Sequence, residues 1–188
     1  MAKYIITGGP CTGKSTLIRA LQAQGYRCVD EVARQLIDEA ERTGSDCHPA
    51  RDFHLFQQHV VHRQLALEES VKHEPLVFFD RGIPDGIGYH WERGVDVPSY
   101  IADLAQTRGY AGVFVLARLG VYKQDAQRFE DAAQGQRVHD MICKAYAASP
   151  YPVHHVPIFD ADQHTSVCLR VSYIKKHIGG DQNGTRPA

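Results

Sequence analysis

The sequence of 188 residues has no long apolar run, no strong net charge and no paired-cysteine pattern. No stretch approaches the roughly 18 apolar residues that a membrane-spanning helix needs, so we expect no membrane partner. The formal net charge of −1 gives no general attraction to nucleic acid or to anionic lipid. Five cysteines without a C-x-x-C pair argue against a disulfide framework and a zinc ribbon. The composition therefore favours an ordinary globular protein without those partners.

The length fits a single domain, which we place at residues 1–178. The glycine-rich polar stretch 179–188 is predicted to be a disordered tail. Strand-like residues begin within the first six positions, which leaves no room ahead of them for a signal peptide, so we expect a cytoplasmic location. The sequence leaves a homodimer open.

The most informative motif is Gly8-Gly9-Pro10-Cys11-Thr12-Gly13-Lys14-Ser15, which fits the Walker A pattern G-x-x-x-x-G-K-[ST]. It lies between a strand-like run at 4–7 and a helix-like run at 16–21. In such a loop, consecutive backbone N–H groups point at phosphate oxygens, and the following helix adds the positive end of its dipole. The motif and its context predict a nucleotide-binding site.

Each polar group of the motif has an expected role. Lys14 would reach the β- and γ-phosphates, and Ser15 would offer its hydroxyl to a magnesium ion, with Thr16 a weaker second candidate. A thiol at Cys11 beside Lys14 should have a lowered pKa and could be oxidised, although we favour an ordinary variable loop position. The predicted nucleotide-binding residues are Gly8, Gly9, Pro10, Cys11, Thr12, Gly13, Lys14, Ser15 and Thr16.

Apolar runs alternate with helical periodicity along the rest of the chain. Strands are predicted at 4–7, 26–30, 76–79, 112–116 and 151–156, and helices at about 16–24, 31–42, 51–72, 84–93, 98–107, 136–147 and 164–177. On the third helix, Phe53, Phe56, Val60 and Leu67 are expected to be core residues rather than ligand contacts. Because parallel neighbours need crossover helices, the order predicts an open, mostly parallel α/β sheet whose carboxyl edge binds ligands.

Charged residues follow two of these strands, where the catalytic edge should lie. Asp80 could bind hydrated magnesium as a Walker B acid, or could be a capping aspartate. Arg81 would bind the transferred or acceptor phosphate, or pair with Glu31 or Asp30. Glu31 is the predicted general base, although it could be a residue of a helix N-terminus with Asp30 as the N-cap.

Other side chains are weaker candidates. Arg34 could bind the acceptor or pair with Glu31. A charged segment after the fourth strand has the position of a mobile lid, or is a solvated charged helix; its basic residues are Arg118, Lys123 and Arg128. Further candidates for the acceptor pocket are Tyr89, His90 and Trp91, which could equally be core residues.

Two absences narrow the class of nucleotide-binding protein. The only asparagine is Asn183, so the Asn-Lys-x-Asp guanine-reading motif of regulatory GTPases is missing. Asp80 is followed by Arg81 rather than by a second acid, and no length remains for the helical lid domain of an AAA+ motor. A small GTP switch and a mechanical motor are both disfavoured.

Four segments together resemble a known family: ITGGPCTGKS, VDEVAR, FFDRG and YKQDAQRFE. Over about residues 3–178 the chain resembles the P-loop family AAA_28, the NadR-like AAA domains. That family is similar to the nicotinamide riboside kinase domain of NadR and, more distantly, to deoxynucleoside and thymidylate kinases. The resemblance implies a three-layer α/β/α P-loop NTPase fold with helices on both faces of a five-stranded parallel sheet of order 2-3-1-4-5.

The resemblance also implies roles for individual residues. Gly8–Thr16 would carry ATP and magnesium, Glu31 matches the carboxylate after strand 2, and Asp80-Arg81 matches an acid-arginine pair after strand 3. Arg128 matches a lid arginine. The predicted function is an ATP- and Mg²⁺-dependent small-molecule kinase with a nucleoside- or nucleotide-like acceptor. An ATPase or nucleotide-gated module that signals to a protein partner is the first alternative, and a phosphotransferase toxin is the second.

Overall fold

The structure, a computed structural model, describes residues 1–119, 132–160 and 162–179. Its elements follow one another as an alternation of strands and helices. In chain order they are β1 (Ala2–Thr7), α1 (Lys14–Ala23), β2 (Arg27–Val29), α2 (Val32–Thr43), α3 (Phe53–Ser70), β3 (Leu76–Asp80), α4 (Ile83–Arg93), α5 (Ser99–Thr107), β4 (Gly112–Leu116), α6 (Ala132–Ala147), β5 (Val153–Val156) and α7 (Gln163–Gly179).

The five strands form one sheet in the order β2-β3-β1-β4-β5, and every pairing is parallel. The predicted parallel sheet, its strand order and the edge position of the last strand are thereby confirmed. In the register, Ile6 of β1 is the partner of Asp80, the last residue of β3. The end of β3 therefore lies beside the point where β1 enters the loop of the Walker A motif.

Alternate residues of the central strands enter two different cores, as the period-2 geometry of a strand requires. Tyr4 and Ile6 belong to a cluster that includes residues of α1 and α7, whereas Ile5 belongs to one that includes residues of α6. Helices thus cover both faces of the sheet, and the continuous apolar runs of β3 and β4 are explained by burial on both sides.

Several predicted boundaries were wrong by a few residues. The third helix is shorter than predicted, because Asp52 is its N-cap and accepts a hydrogen bond from the Leu55 backbone N–H. α6 begins at Ala132, four residues before the prediction. Asp30 is not the N-cap of α2; that position is occupied by Glu31, whose side chain makes no capping hydrogen bond.

Some predictions lie outside the described residues. These are the whole charged segment 122–131, including Lys123 and Arg128, and positions 180–188 of the predicted tail. The division into a domain at 1–178 and a tail therefore stays a prediction. Within the described part of the chain, no helix is long and apolar enough to cross a membrane.

Candidate active site

The Walker A loop connects β1 to α1 through three residues with positive φ, Gly8, Cys11 and Gly13. Gly13 is the N-cap of α1 with φ 84° and ψ 20°, a conformation that costs glycine nothing because it has no Cβ. Cys11 adopts φ 57° although it is not a glycine. Leu119 donates its backbone N–H to the Cys11 carbonyl at 2.9 Å, which ties the loop to the chain after β4.

Lys14 is the first residue of α1, and its side chain is buried among loop oxygens. Its Nζ donates to the carbonyls of Gly8 and Gly9, both at 2.9 Å, and lies 3.4 Å from the Thr12 hydroxyl. Burial, followed by the positive charge of Arg81, lowers the pKa of Lys14 to about 8. The ammonium remains mostly charged at neutral pH, close to the loop amides.

Asp80 ends β3 in an almost fully buried position. Burial, followed by the negative charge of Glu31, raises its pKa to about 7. Its Oδ1 has no hydrogen-bond partner among the described residues, and a buried polar atom in that state calls for a ligand or a cation.

The residues at this place fit a magnesium ion bound together with a nucleotide. Mg²⁺ at such sites takes one or two protein oxygens and fills its other positions with phosphate oxygens and water. Asp80 offers a buried carboxylate oxygen, and the exposed Ser15 lines the same cavity with its hydroxyl. No group of three His, Cys, Asp or Glu side chains in the described ranges could hold a metal by itself, so the phosphates would have to complete the site.

Arg81 connects three parts of the site. Its backbone adopts φ 74°, and its N–H donates to the Ile6 carbonyl at 3.0 Å. Its Nε donates to Glu31 Oε1 at 2.7 Å, its Nη1 to Asp85 Oδ1 at 2.9 Å, and the ring centroid of Tyr89 lies 5.5 Å from its Cζ. The expected ion pair is therefore formed with Glu31 rather than with Asp30.

Glu31 lies at the junction of β2 and α2, facing the Arg81 guanidinium. Burial acts to raise its pKa, but the charges of Arg81 and Lys14 and the hydrogen bond from Arg81 outweigh that effect and hold the pKa at about 2. Glu31 is thus a carboxylate throughout the physiological range, able to accept a hydrogen bond from a hydroxyl.

A single cavity of about 260 Å³ contains these groups. One part is lined by loop residues 10–16 together with Glu31, Asp80 and Arg81. The other part, which we call the chamber, has both apolar and polar walls that come from α2, α3 and α4; the lining residues that matter for a ligand are Arg34, Ile37, Phe53, Phe56, Gln57, Val60, Gln64, Tyr89 and Arg93. The Walker A loop and the chamber therefore form one continuous space.

A family model described as an AAA domain matches residues 3–164, most of the chain. The chain belongs to this AAA domain family. No curated protein matches the chain.

Two solved structures share the fold of this AAA domain. Deoxyadenosine kinase from M. mycoides, solved with the products dCMP and a flexible dCDP, is 14% identical with a TM-score of 0.65, covering 95% of this chain and 99% of the other.

The second structure is thymidylate kinase from Ehrlichia chaffeensis. It is 19% identical to the AAA domain described here with a TM-score of 0.63, and the alignment covers 93% of this chain and 98% of the other. Identities this low establish the shared fold alone. The five-stranded order 2-3-1-4-5 is thus a P-loop kinase fold.

The structure decides the position of several residues considered for the AAA domain's pocket. Phe56 is buried in a core cluster and Val60 packs against that cluster, as expected, but together with Phe53 they also line the cavity. His90, which the sequence left open between pocket and core, does not line the cavity: its ring is buried, its Nδ1–H donates to the Gly86 carbonyl at 2.7 Å, and it packs against Phe53. Trp91 packs in a cluster between α4, α5 and α6 under the Lys144 ammonium.

The remaining candidates for the pocket and the lid do not all lie at the cavity. Arg34 and Tyr89 line the cavity. Arg118 donates from Nη1 to Gln136 Oε1 at 2.6 Å and is not among the cavity residues of the described chain. A lid role for Arg118, Lys123 and Arg128 stays a prediction.

Asp85 is a site residue that sequence reasoning missed. Its two carboxylate oxygens accept from the Thr7 hydroxyl at 2.6 Å, the Tyr146 hydroxyl at 2.6 Å, Arg81 Nη1 at 2.9 Å and the Gly82 N–H at 3.0 Å. These partners lie on β1, α6 and the β3–α4 turn. The carboxylate therefore fixes the guanidinium of Arg81 from the side opposite to Glu31.

We expect Asp85→Asn to destabilise the fold and misplace Arg81. An amide can accept at only one atom, so at least one of the buried donors loses its partner, at a cost of about 2–4 kcal/mol in the free energy of unfolding. Urea denaturation measures this change. Asp140→Asn, on an exposed position of α6 where the carboxylate accepts a hydrogen bond from the Gln136 amide, is the matched control and should change the free energy of unfolding by under about 0.5 kcal/mol. Equal stability of the two variants would contradict the assignment.

His139 of α6 contacts the Walker A loop directly. Its Nδ1 accepts from the Gly9 N–H at 3.1 Å, and a Cβ added at Gly9 would lie 2.7 Å from the His139 Cβ. Because Nδ1 accepts, the neutral ring carries its proton on Nε2, which faces Cys143 Sγ at 3.5 Å. Burial is the main cause that lowers the pKa of His139.

This contact predicts a loss of stability in mild acid. A histidine whose folded-state pKa is lowered from 6.5 binds fewer protons folded than unfolded, so stability is present above 6.5 and declines as the pH falls below it. We expect His139→Gln, whose amide oxygen can still accept from Gly9, to flatten the dependence of the unfolding free energy on pH between 7 and 5. His62→Gln, on an exposed position of α3, should leave the dependence as in the wild type. Parallel curves for wild type and His139→Gln would contradict the role.

Proposed function

We propose that the protein is an ATP- and Mg²⁺-dependent kinase of a small molecule, with a nucleoside- or nucleotide-like acceptor. The observation that carries this proposal is the continuity of the cavity. The Walker A loop, the carboxylates of Glu31 and Asp80, and the chamber lined by apolar, aromatic and polar side chains share one space. A pure ATPase needs the loop and a route for water, but it has no need for an adjoining chamber.

The walls of the chamber suit a flat, partly polar ring system. Phe53 and Tyr89 offer aromatic faces, and the buried Gln57 offers a carboxamide that can both donate and accept hydrogen bonds. Arg93, whose guanidinium lies 4.4 Å from the Phe53 ring centroid, and Arg34 add positive charge. These features support an acceptor with an aromatic ring and hydroxyl groups.

Phosphoryl transfer in this site would depend on positioning and charge. The loop amides and Lys14 would bind the β- and γ-phosphates, and Arg81 would stabilise charge on the transferring group. Magnesium, held by Ser15 and Asp80, would neutralise phosphate charge when it is bound. Glu31 would orient the acceptor hydroxyl and accept its proton; a weakly basic carboxylate suffices because this proton leaves late in a loose transition state.

The alternative is an ATPase or nucleotide-gated module without a small-molecule acceptor. The shared fold and the phosphate-binding loop support this alternative equally well. The two proposals differ in the product, because only the kinase gives a phosphorylated metabolite.

A metabolite-library incubation with ATP and Mg²⁺ distinguishes them. We expect one compound class to gain the mass of a single phosphoryl group and to accelerate ADP formation. Omission of Mg²⁺ should remove the product. ADP formation that no compound accelerates, with no phosphorylated product, would favour the ATPase.

A further inference from the structure

Arg170 of α7 binds three separate segments at the phosphate edge of the sheet. Its Nη1 donates to the Thr12 carbonyl at 2.7 Å, its Nη2 to the Ala117 carbonyl at 3.1 Å, and its Nε to the Pro157 carbonyl at 3.0 Å. Thr12 is in the Walker A loop, while the other two carbonyls follow β4 and β5. One planar guanidinium thus joins the loop to the ends of two strands.

The guanidinium lies close to the turn that starts α1. A Cβ added at Gly13 would lie 3.4 Å from Arg170 Nη1. The carbonyl of Thr12 points at this group, so the next peptide N–H, that of Gly13, points the opposite way. In a phosphate-binding loop that opposite side is where the polyphosphate is bound.

The charge of Arg170 has no carboxylate partner among the described residues. Its residue surface is only 2% exposed, its three hydrogen bonds go to neutral carbonyls, and burial alone accounts for a lowered pKa. Burial of a cation without an anion costs free energy. A neutral side chain in place of Arg170 could pack against the loop at a lower cost. By contrast, the partly buried Arg108 and Lys3 share the buried carboxylate of Glu68.

We propose that Arg170 is a positioning residue that also supplies a second buried positive charge, besides Lys14, for the bound polyphosphate. The proposal rests on the loop binding a polyphosphate, as the proposed function requires, but it does not depend on the acceptor. The bound polyphosphate would supply the negative charge that the described residues do not place beside Arg170. The hydrogen bond from Arg170 to the Thr12 carbonyl would keep the Gly13 N–H directed at the phosphates.

A purely structural role predicts a different pattern. If Arg170 only shaped the loop, its replacement would weaken all phosphate ligands by the same factor. A charge role makes the loss grow with the negative charge of the ligand, because the Coulomb energy scales with that charge. The charge-retaining Arg170→Lys and the neutral Arg170→Gln both lose part of the hydrogen-bond set, so the pair separates charge from geometry.

The experiment measures the affinity of the full chain for phosphate, pyrophosphate and tripolyphosphate by calorimetry, at fixed ionic strength and without Mg²⁺. For Arg170→Gln we expect a loss that rises from about twofold for phosphate to about tenfold for tripolyphosphate. Arg170→Lys should stay within about threefold of wild type for all three ligands. Urea denaturation checks that both variants fold, and Arg137→Gln, exposed on α6, is the control for arginine removal.

The outcomes separate this proposal from the kinase proposal. A uniform loss across the three ligands, or equal losses in the Lys and Gln variants, would overturn the charge role while leaving the kinase proposal intact. A wild-type chain that binds none of the three would overturn both. If Arg170→Gln does not fold, Arg170→Lys alone tests the proposal. This variant keeps the positive charge, so a loss of affinity that grows with the charge of the ligand would contradict the proposal.

Discussion

Lys14→Ala should remove nucleotide turnover and weaken ATP binding, and it is the change with the largest expected effect. The ammonium is buried in the Walker A loop, 2.9 Å from the carbonyls of Gly8 and Gly9. On the proposed function, its loss would remove a charge-assisted contact to the β- and γ-phosphates that strengthens as charge develops on the transferring group. We expect roughly a hundredfold weaker ATP binding and about a 10³-fold lower turnover. Calorimetry with ATP and a coupled ADP assay measure the two effects.

The fold should survive this change, since Lys14 contacts loop oxygens and contributes no apolar core packing. Its pKa is lowered from 10.5 to about 8, so the folded state binds fewer protons between those values, and stability rises with pH across that window. Lys14→Ala should lose this rise. Lys175→Ala, exposed on α7 with a hydrogen bond to Gln24, is the matched control. ATP affinity that equals the control would remove the assignment of the phosphate-binding loop.

The phosphate-binding half of the site could be predicted because its signals are local. The Walker A spacing specifies a loop conformation within eight residues, and Asp80 and Glu31 stand directly after predicted strands. In a parallel sheet the carboxyl ends of the strands share one edge, so residues distant in sequence are brought together by topology alone. The contact of Arg81 with Glu31, across 50 positions, is a direct result.

The supporting residues could not be predicted because their partners are far away in sequence. Asp85 accepts from Thr7, 78 positions earlier, and Arg170 donates to Thr12, 158 positions earlier. A buried acid at the start of a helix or an arginine in the last helix has no local pattern that names its partner. The buried donors and acceptors had to find partners on folding, but the sequence alone does not say which.

The chamber lining was predicted poorly because α4 has no single buried face. It packs against α3, α5 and α6, so apolar and aromatic residues point in several directions. Successive residues on a helix are about 100° apart, which places Tyr89 in the cavity and His90 in the core. On α3 the same ambiguity let Phe53 line the cavity, although its periodicity indicated the core.

Glu31→Gln should slow phosphoryl transfer while leaving ATP affinity within about threefold of wild type. The amide keeps the size of the carboxylate, and its oxygen can still accept from Arg81 Nε. It cannot take a proton from an acceptor hydroxyl. We expect the turnover at saturating ATP and acceptor to fall by about 10²–10³-fold. The assay uses whichever acceptor the metabolite incubation identifies, with ADP formation as the readout.

The stability of this variant separates catalysis from structure. The pKa of Glu31 is held at about 2, below its ordinary 4.5, so its stabilising contribution is present above 4.5 and is lost as the pH falls toward 2. Glu31→Gln should therefore lower the free energy of unfolding at pH 7, by about 1–3 kcal/mol for a partly buried pair. Glu39→Gln breaks the more exposed pair with Arg63, in which the two atoms are 2.6 Å apart, and should cost less stability than Glu31→Gln without slowing transfer.

The pH profile supplies the last test of Glu31 as the proton acceptor. Because this carboxylate is ionised far below neutrality, it should produce no acidic limb in the turnover of the wild type between pH 5 and 8. Glu31→Gln should then lower the turnover by the same factor at every pH in that range. Glu31→Asp should turn over faster than Glu31→Gln, because it keeps a carboxylate. A Gln variant that transfers phosphate within threefold of wild type would leave Glu31 with only its structural contact to Arg81.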